Sequence, residues 1–389
     1  MLIDTRLAER LKKVNPSATL AITSKAKKLR AEGEDIVSFG AGEPDFDTPD
    51  FIKDAAIEAI RSGFTKYTPT TGTPELKKLI IEKFKKDNSL QFSPEQIVAS
   101  CGAKHSIFNT LLVLVNKADE VIIPSPYWVS YPEMVNICEG KTRFLKTLPE
   151  NDFKITVKDL EKLITAKTKA LILNSPSNPV GSVYREEELR EISRICVAKK
   201  IFVISDEIYE KIIFDQTRHV SIASFNSDIY NLTVTINGLS KSHSMTGWRL
   251  GYLGAPLDIA ASISNLQDHS TSNPCSITQK AAVAALGSDD FSKSISCEFQ
   301  KRRDYCIEKL KNISKLTYIK PQGAFYIFCG IAKTKLDSMA FADKLLSEAK
   351  VVVIPGLPFG RDDYIRISFT TSMEQLEIGL SRIEEWLRG

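Results

Sequence analysis

Lys241 stands in the run Gly238-Leu239-Ser240-Lys241-Ser242-His243-Ser244-Met245-Thr246-Gly247-Trp248-Arg249-Leu250-Gly251, with a serine before it, an arginine eight residues after it, and glycines that leave room for a ligand. A free lysine amine has a pKa of about 10.4, so roughly one in a few thousand is neutral at pH 7. Burial beside a second cation lowers that value, and the usual chemistry of a depressed lysine is an imine with a carbonyl. Arg249 can supply the cation, and it can hold a phosphate. An imine-forming lysine next to a phosphate clamp is what pyridoxal 5'-phosphate requires. The alternative is an exposed loop lysine between two strands.

Other residues bear on the same chemistry. Asp206 ends the apolar run Ile201-Phe202-Val203-Ile204, where an ionised carboxylate needs a partner. A protonated pyridine nitrogen is one such partner; a helix N-cap is the plainer role. Gly102-Ala103-Lys104 follows a strand-like run and opens a helical pattern through His105 to Val115. Backbone N–H groups at a helix start donate well to phosphate oxygens, although such a glycine also serves a simple turn. Asn174-Ser175-Pro176-Ser177-Asn178-Pro179-Val180-Gly181 is a loop stiffened by two prolines. Arg366, in Tyr364-Ile365-Arg366-Ile367-Ser368, offers a fork that fits a carboxylate. An exposed strand arginine in a surface ion pair is the competing reading.

These positions need a frame. Between Gln96 and Gly254 the β-rich runs Ile97-Val98, Val121 to Ile123, Ala170 to Leu173, Ile201 to Ile204 and Val234 to Ile236 alternate with helical patterns. That alternation predicts an α/β fold with a largely parallel sheet covered by helices. Ligands bind such sheets beyond the carboxyl ends of the strands, and Gly102, Asn178, Asp206 and Lys241 each lie just after one of the runs. The C-terminal third reads as a second, α+β unit: a long helix near Asp289 to Asn312, strands at Leu316 to Ile319 and Ala324 to Phe328, a helix near Ser338 to Ala349, strands at Val351 to Ile354 and Ile365 to Phe369, and a closing helix from Glu374 to Leu387. No repeat, low-complexity tract or Pro/Ser linker separates the two units.

Length and composition narrow the function further. A chain of 389 residues is long for one small core and predicts two or three domains. A net charge of +4 spread over 52 basic and 48 acidic residues forms no polybasic block, so neither nucleic acid nor an anionic membrane is indicated. No apolar run is long enough to span a membrane and Met1 to Lys13 lacks a signal-peptide core, which points to a cytoplasmic protein. Seven scattered cysteines read as buried thiols rather than a disulfide framework. Four dispersed histidines without a His-Glu-x-x-His pair give no support for a metal.

The Lys241 run resembles the lysine signature of the class I and II aminotransferases, and the likeness extends from Pro16-Ser17-Ala18-Thr19 to Arg366. It is nearest to the bacterial-type aspartate aminotransferase subgroup that includes prephenate aminotransferases. The resemblance implies a fold-type-I enzyme with a large cofactor domain, 46–285, and a small domain of 1–45 with 286–389. It implies that Lys241 binds pyridoxal 5'-phosphate and moves protons, that Asp206 meets the ring nitrogen, and that Tyr209 and Asn178 reach the phenolic oxygen. It further implies that Trp128 stacks on the ring, and that Gly102, Ala103, Lys104, Ser240 and Arg249 surround the phosphate. Arg366, Gly42, Asn178 and Trp128 would hold the substrate at its α-carboxylate end, with Thr19 and Lys104 at a distal carboxylate. Tyr67 would reach the phosphate of a neighbouring subunit in a homodimer. The expected reaction is transamination between aspartate or glutamate and 2-oxoglutarate or oxaloacetate, with prephenate or aromatic transamination or a carbon–sulfur lyase as alternatives on the same scaffold. A regulator's binding domain lacks a spare DNA-binding segment, and a dinucleotide oxidoreductase lacks its third glycine at Gly40-Ala41-Gly42. His243, Gly238 and Val180 depart from the pattern, which has an aromatic, in some members a serine, and often threonine there.

Overall fold

The computed structural model describes residues 8–16 and 18–389, without the side chains of 18–21, 23 and 27. A short strand β1 (Val37–Ser38) precedes the central sheet, which comprises β2 (Ile97–Ser100), β3 (Glu120–Ser125), β4 (Lys141–Lys146), β5 (Thr168–Asn174), β6 (Phe202–Asp206), β7 (Thr233–Gly238) and β8 (Gly251–Gly254). Their order is β2-β8-β7-β6-β5-β3-β4. Every pair is parallel except the two made by β8, which runs against both neighbours. Because β8 is reversed, β2 and β7 still point the same way, so the carboxyl ends of β2, β5, β6 and β7 share one rim. The middle strands are apolar and buried on both faces, as a helix-covered parallel sheet requires.

Two strands of this sheet, β4 and β8, are absent from the sequence expectation. The alternation in β4 is polar and mostly exposed, as suits an edge, and β8 is a four-residue Gly-Tyr-Leu-Gly segment with little β signal. The C-terminal third supplies β9 (Thr317–Tyr318), β10 (Tyr326–Gly330), β11 (Val351–Val352), β12 (Ile354–Pro355) and β13 (Tyr364–Ser368). The expected strand Val351 to Ile354 is split: β11 pairs with β1, while β12 joins a four-stranded antiparallel sheet, β12-β13-β10-β9. The helices Asp290–Leu310, Ser338–Ala349 and Met373–Arg388 lie where the periodicity put them. They close a core of Phe299, Phe325, Phe341, Leu345 and Leu380 around that smaller sheet. All seven cysteines are free, but only Cys138, Cys196, Cys306 and Cys329 are buried; Cys101 is half-buried and Cys275 and Cys297 are exposed, which corrects the expectation for those three. No described helix is long and apolar enough to cross a membrane.

Candidate active site

The site forms at the shared rim. Asp206 is the last residue of β6, Asn178 lies four residues beyond β5, Gly102 two beyond β2, and Lys241 three beyond β7. The register runs Ser100↔Gly251↔Gly238 across three strands, so the reversed β8 begins on the rim where its neighbours end. That reversal delivers Arg249, two residues upstream, to the same place as Gly102.

Arg249 takes a left-handed conformation at φ +54°, as does Ser244 at +52° in the same loop; L-residues hold such angles where surrounding contacts enforce them. Its guanidinium donates to the carbonyls of Thr246 (2.8 Å) and Cys101 (3.4 Å) and lies against Gly102. A β-carbon at Gly102 would overlap that guanidinium, and one at Gly251 would overlap the backbone of Gly102 and Ala103. Close approach of backbone therefore sets Gly251, and a φ of +90° favours glycine at 102. The helix Ala103–Leu114 starts here, and the first-turn N–H groups of Ala103 and Lys104 have no acceptor within the helix. Together with Arg249 they make an anion cradle.

Lys241 sits in the recess beyond β7 and donates to the Gly42 carbonyl at 2.6 Å. Burial pushes its pKa down to about 8; Arg366 and Arg249 add to the fall, and Glu43 and Asp206 oppose it. The second cation expected from the sequence is thus a pair, with Arg366 the stronger. Gly42 presents its carbonyl to the amine, a contact that the resemblance does not imply.

Arg366 is 4% exposed in a strand buried throughout, and this removes the surface-ion-pair reading. It donates from Nη1 to Asn178 Oδ1 and from Nη2 to the Gly40 carbonyl, both at 3.1 Å, and stacks over the Tyr326 ring at 4.3 Å. Its Nε has no partner. Among the described residues no carboxylate pairs with it, so a buried, directed cation is left for a ligand anion.

Asp206 is buried and its carboxyl accepts from the Tyr131 hydroxyl at 2.6 Å and from the Ile208 N–H at 3.3 Å. The second bond is the local capping role weighed above. Burial raises its pKa to about 6, against the lowering effect of those two bonds. Tyr209 exchanges a hydroxyl–hydroxyl bond of 2.9 Å with Tyr326. Lys104 lies over the Trp128 ring at 4.9 Å, and burial and Arg249 lower its pKa. Ser240 is buried beside Lys241. Tyr67, 91% exposed, is not part of this cluster, and the Thr19 side chain lies outside the described residues.

Tyr131 and Tyr326 were missed. Tyr131 had a weak signal, three residues after the aromatic Trp128, against which it packs edge-on at 5.2 Å. Tyr326 had none, because it reaches the site through the pairing of β10 with β13. The three departures also have places. Gly238 is tightly set, with a β-carbon 3.1 Å from Gly251 Cα and 3.2 Å from Ile208 Cδ1, so a side chain there needs its neighbours to give by a few tenths of an ångström. Val180 packs with Phe328 and Phe359. His243 turns behind the loop, bonded to Ser242 Oγ at 2.8 Å and facing a cavity of about 200 Å³ near Asp289 and Lys211.

A lysine depressed between two arginines at a sheet rim agrees with the comparisons with known proteins. The family description Aminotransferase class I and II matches residues 34–383. The chain belongs to this family. It is similar to the aspartate aminotransferase of Geobacillus stearothermophilus, at 46% identity over 98% of this chain and 99% of that one. It is also similar to a probable aspartate/prephenate aminotransferase of Aquifex aeolicus, at 44% over 98% of both. Among solved structures, the aspartate aminotransferase of Rhizobium meliloti superposes with a TM-score of 0.95 at 39% identity, covering 99% of both chains. The Thermus thermophilus aspartate aminotransferase with maleate gives 0.94 at 38%, covering 98% of this chain and 100% of that one. The protein is an aminotransferase of fold type I.

Proposed function

We propose that this aminotransferase uses pyridoxal 5'-phosphate held by Lys241 to move an amino group between aspartate or glutamate and 2-oxoglutarate or oxaloacetate. The observation that carries this reading is the gathering at one rim of the Lys241 amine, Arg249 against the helix start at Gly102, and a buried Arg366 with an unpartnered Nε. The residues fit the cofactor: Gly102, Ala103, Lys104, Ser240 and Arg249 suit a phosphate, Asp206 a ring nitrogen, Tyr209 and Asn178 a phenolic oxygen, and Trp128 a ring face. When bound, the cofactor ring withdraws electrons from the substrate Cα. Arg366 and Asn178 grip the α-carboxylate and so fix which bond at Cα stands ready to break, with the Gly42 backbone beside them. Lys241, as a free amine, would be the general base for the substrate Cα proton and, once protonated, the general acid. Lys104 and Thr19 serve the distal carboxylate. The Thermus relative's pairing with maleate, a four-carbon dicarboxylate, supports an acidic substrate.

The Aquifex relative's name favours one second reading, prephenate as amino acceptor. Both are tested by mixing holoenzyme with single donors and following conversion of the aldehyde form to the amine form, then offering 2-oxoglutarate or prephenate to the amine form. Aspartate and glutamate are expected to convert it; failure with both overturns the assignment.

Tyr131→Phe removes the hydroxyl that keeps the Asp206 pKa down, so that pKa rises above about 6. Cofactor affinity is expected to fall roughly tenfold at pH 7, at the low end for a hydrogen bond to a charged group. The acid limb of the affinity-against-pH curve should move upward; an unmoved limb rules the coupling out.

The same reading makes the active unit a homodimer in the cytoplasm, with 46–285 as cofactor domain and 1–45 with 286–389 as the domain that closes over substrate. Support comes from the β1–β11 pairing, the free cysteines and the outward Tyr67. Tyr67→Phe is expected to weaken cofactor retention with an unchanged melting temperature; unchanged retention would remove the tyrosine from the neighbour's site.

A further inference from the structure

Asp206 and Tyr209 face the recess, whereas the residues that follow each of them, Glu207 and Glu210, turn to the other side. Glu207 Oε1 accepts from Ser205 Oγ at 2.7 Å and Ser221 Oγ at 2.8 Å, and Oε2 contacts Asn88 Nδ2 at 2.8 Å and His219 Nε2 at 2.9 Å. Glu210 Oε2 accepts from the same Asn88 amide at 2.7 Å and lies 3.9 Å from His219 Nε2, while Oε1 pairs with Lys83. Lys83 also donates to Asn88 Oδ1 at 2.7 Å and lies 3.9 Å from Asp87, which in turn pairs with Lys211 at 2.8 Å. Both glutamates are buried, as are Asn88 and the His219 side chain. None of these groups has a part in the chemistry above.

On its other side the segment they hold packs through Tyr209 and Ile212 into the core with Phe325 and Tyr326. Residues 208–211 form a turn after β6, tied by few backbone bonds: Glu207 N–H to Ile236, Glu210 N–H to Glu207, and Ile212 N–H to Tyr209. Two carboxylates in a protein interior are expensive, and apolar residues of similar size would fill the space as well. What the charged cluster adds is a single geometry, since both Glu207 oxygens and Glu210 Oε2 have directed hydrogen-bond partners and Glu210 Oε1 faces Lys83.

We propose that Glu207, Glu210, His219, Asn88 and Lys83 form a rear anchor that positions Asp206 and Tyr209 against the cofactor ring. Asp206 and Tyr209 each precede an anchored glutamate by one residue, so a shift of either carboxylate moves the neighbouring site group with it. His219 and its companions touch neither substrate nor cofactor and are positioning residues. The proposal rests on the reading that Asp206 and Tyr209 contact the ring.

The test compares His219→Ala, which removes the ring from Glu207, with His219→Gln, whose amide still donates there, and with the milder Ser221→Ala. In His219→Ala holoenzyme, kcat is expected to fall on the order of 10²-fold, the loss typical of a misplacement of about 1 Å, with KM for the amino donor little changed. The pH midpoint of the bound cofactor's visible absorption should shift, and amide exchange at 208–212 in the cofactor-free full chain should quicken. His219→Gln should recover most of the kcat, and Ser221→Ala should move each readout the same way by a few-fold, which keeps the test open if the alanine variant at 219 does not fold. A lowered melting temperature with parental kcat, absorption midpoint and exchange overturns the anchor. Asp206→Ala run in parallel separates the two ideas: if it leaves cofactor affinity unchanged, the ring contact itself fails, and if it weakens affinity while the His219 and Ser221 variants match the parent, the anchor alone fails.

Discussion

Lys241→Ala is expected to lower transamination by roughly 10⁴-fold or more, at or beyond the top of the range for one positioned acid–base group, because the same nitrogen holds the cofactor and moves the proton. The cofactor should still bind through Arg249, the first-turn donors at Ala103 and Lys104, and Asp206, so absorption of a non-covalent complex should persist. The pH dependence follows from the depressed amine. With a pKa near 8 instead of 10.5, about one lysine in ten is neutral at pH 7, against roughly one in a few thousand for a free side chain. Covalent capture of the aldehyde by cofactor-free protein should therefore rise with pH to a midpoint near 8, and borohydride reduction followed by peptide mapping should place the label on Lys241. Substantial turnover in the alanine variant, or a label elsewhere, would end the assignment.

Arg366→Leu carries the second large effect. The guanidinium is buried, its Nε is unpartnered, and it holds its place through Asn178 and the Gly40 carbonyl. Removing one member of a buried charge pair costs about 3–5 kcal/mol, so kcat/KM for aspartate and glutamate should fall by roughly two to four orders of magnitude. Arg366→Lys should recover little, because a point charge cannot make the two parallel bonds of the fork. A donor lacking the α-carboxylate should be affected far less, and equal losses for both donor types would show that Arg366 acts on the fold and not on the substrate. The variant also removes a cation that lowers the Lys241 pKa, so the capture midpoint should move up from about 8.

The two arginines differ in how much of their role was legible. Arg249 shares a short segment with Lys241, so its presence near the amine follows from chain connectivity, although its contact with Gly102 depends on β8, a strand with almost no local signal. Arg366 comes from a sheet far along the chain, and nothing in Tyr364 to Ser368 distinguishes a buried, unpaired guanidinium from a surface one. Tyr131 illustrates an intermediate case: its spacing of three from Trp128 lets the two rings meet, but its bond to Asp206 spans 75 residues.

By itself the sequence determined the alternating strand and helix order, the rim on which Gly102, Asn178, Asp206 and Lys241 converge, and the lysine whose chemistry defines the family, since each depends on local periodicity or on short-range spacing. Only the tertiary structure decided the reversed β8, the split of β11 from β12, the pairing of Tyr209 with Tyr326, the pair of cations acting on Lys241 and the buried cluster behind Asp206. Those features arise from contacts between residues distant in the chain, whose energies depend on burial and on directed partners, and neither quantity exists until the sheets have closed around them.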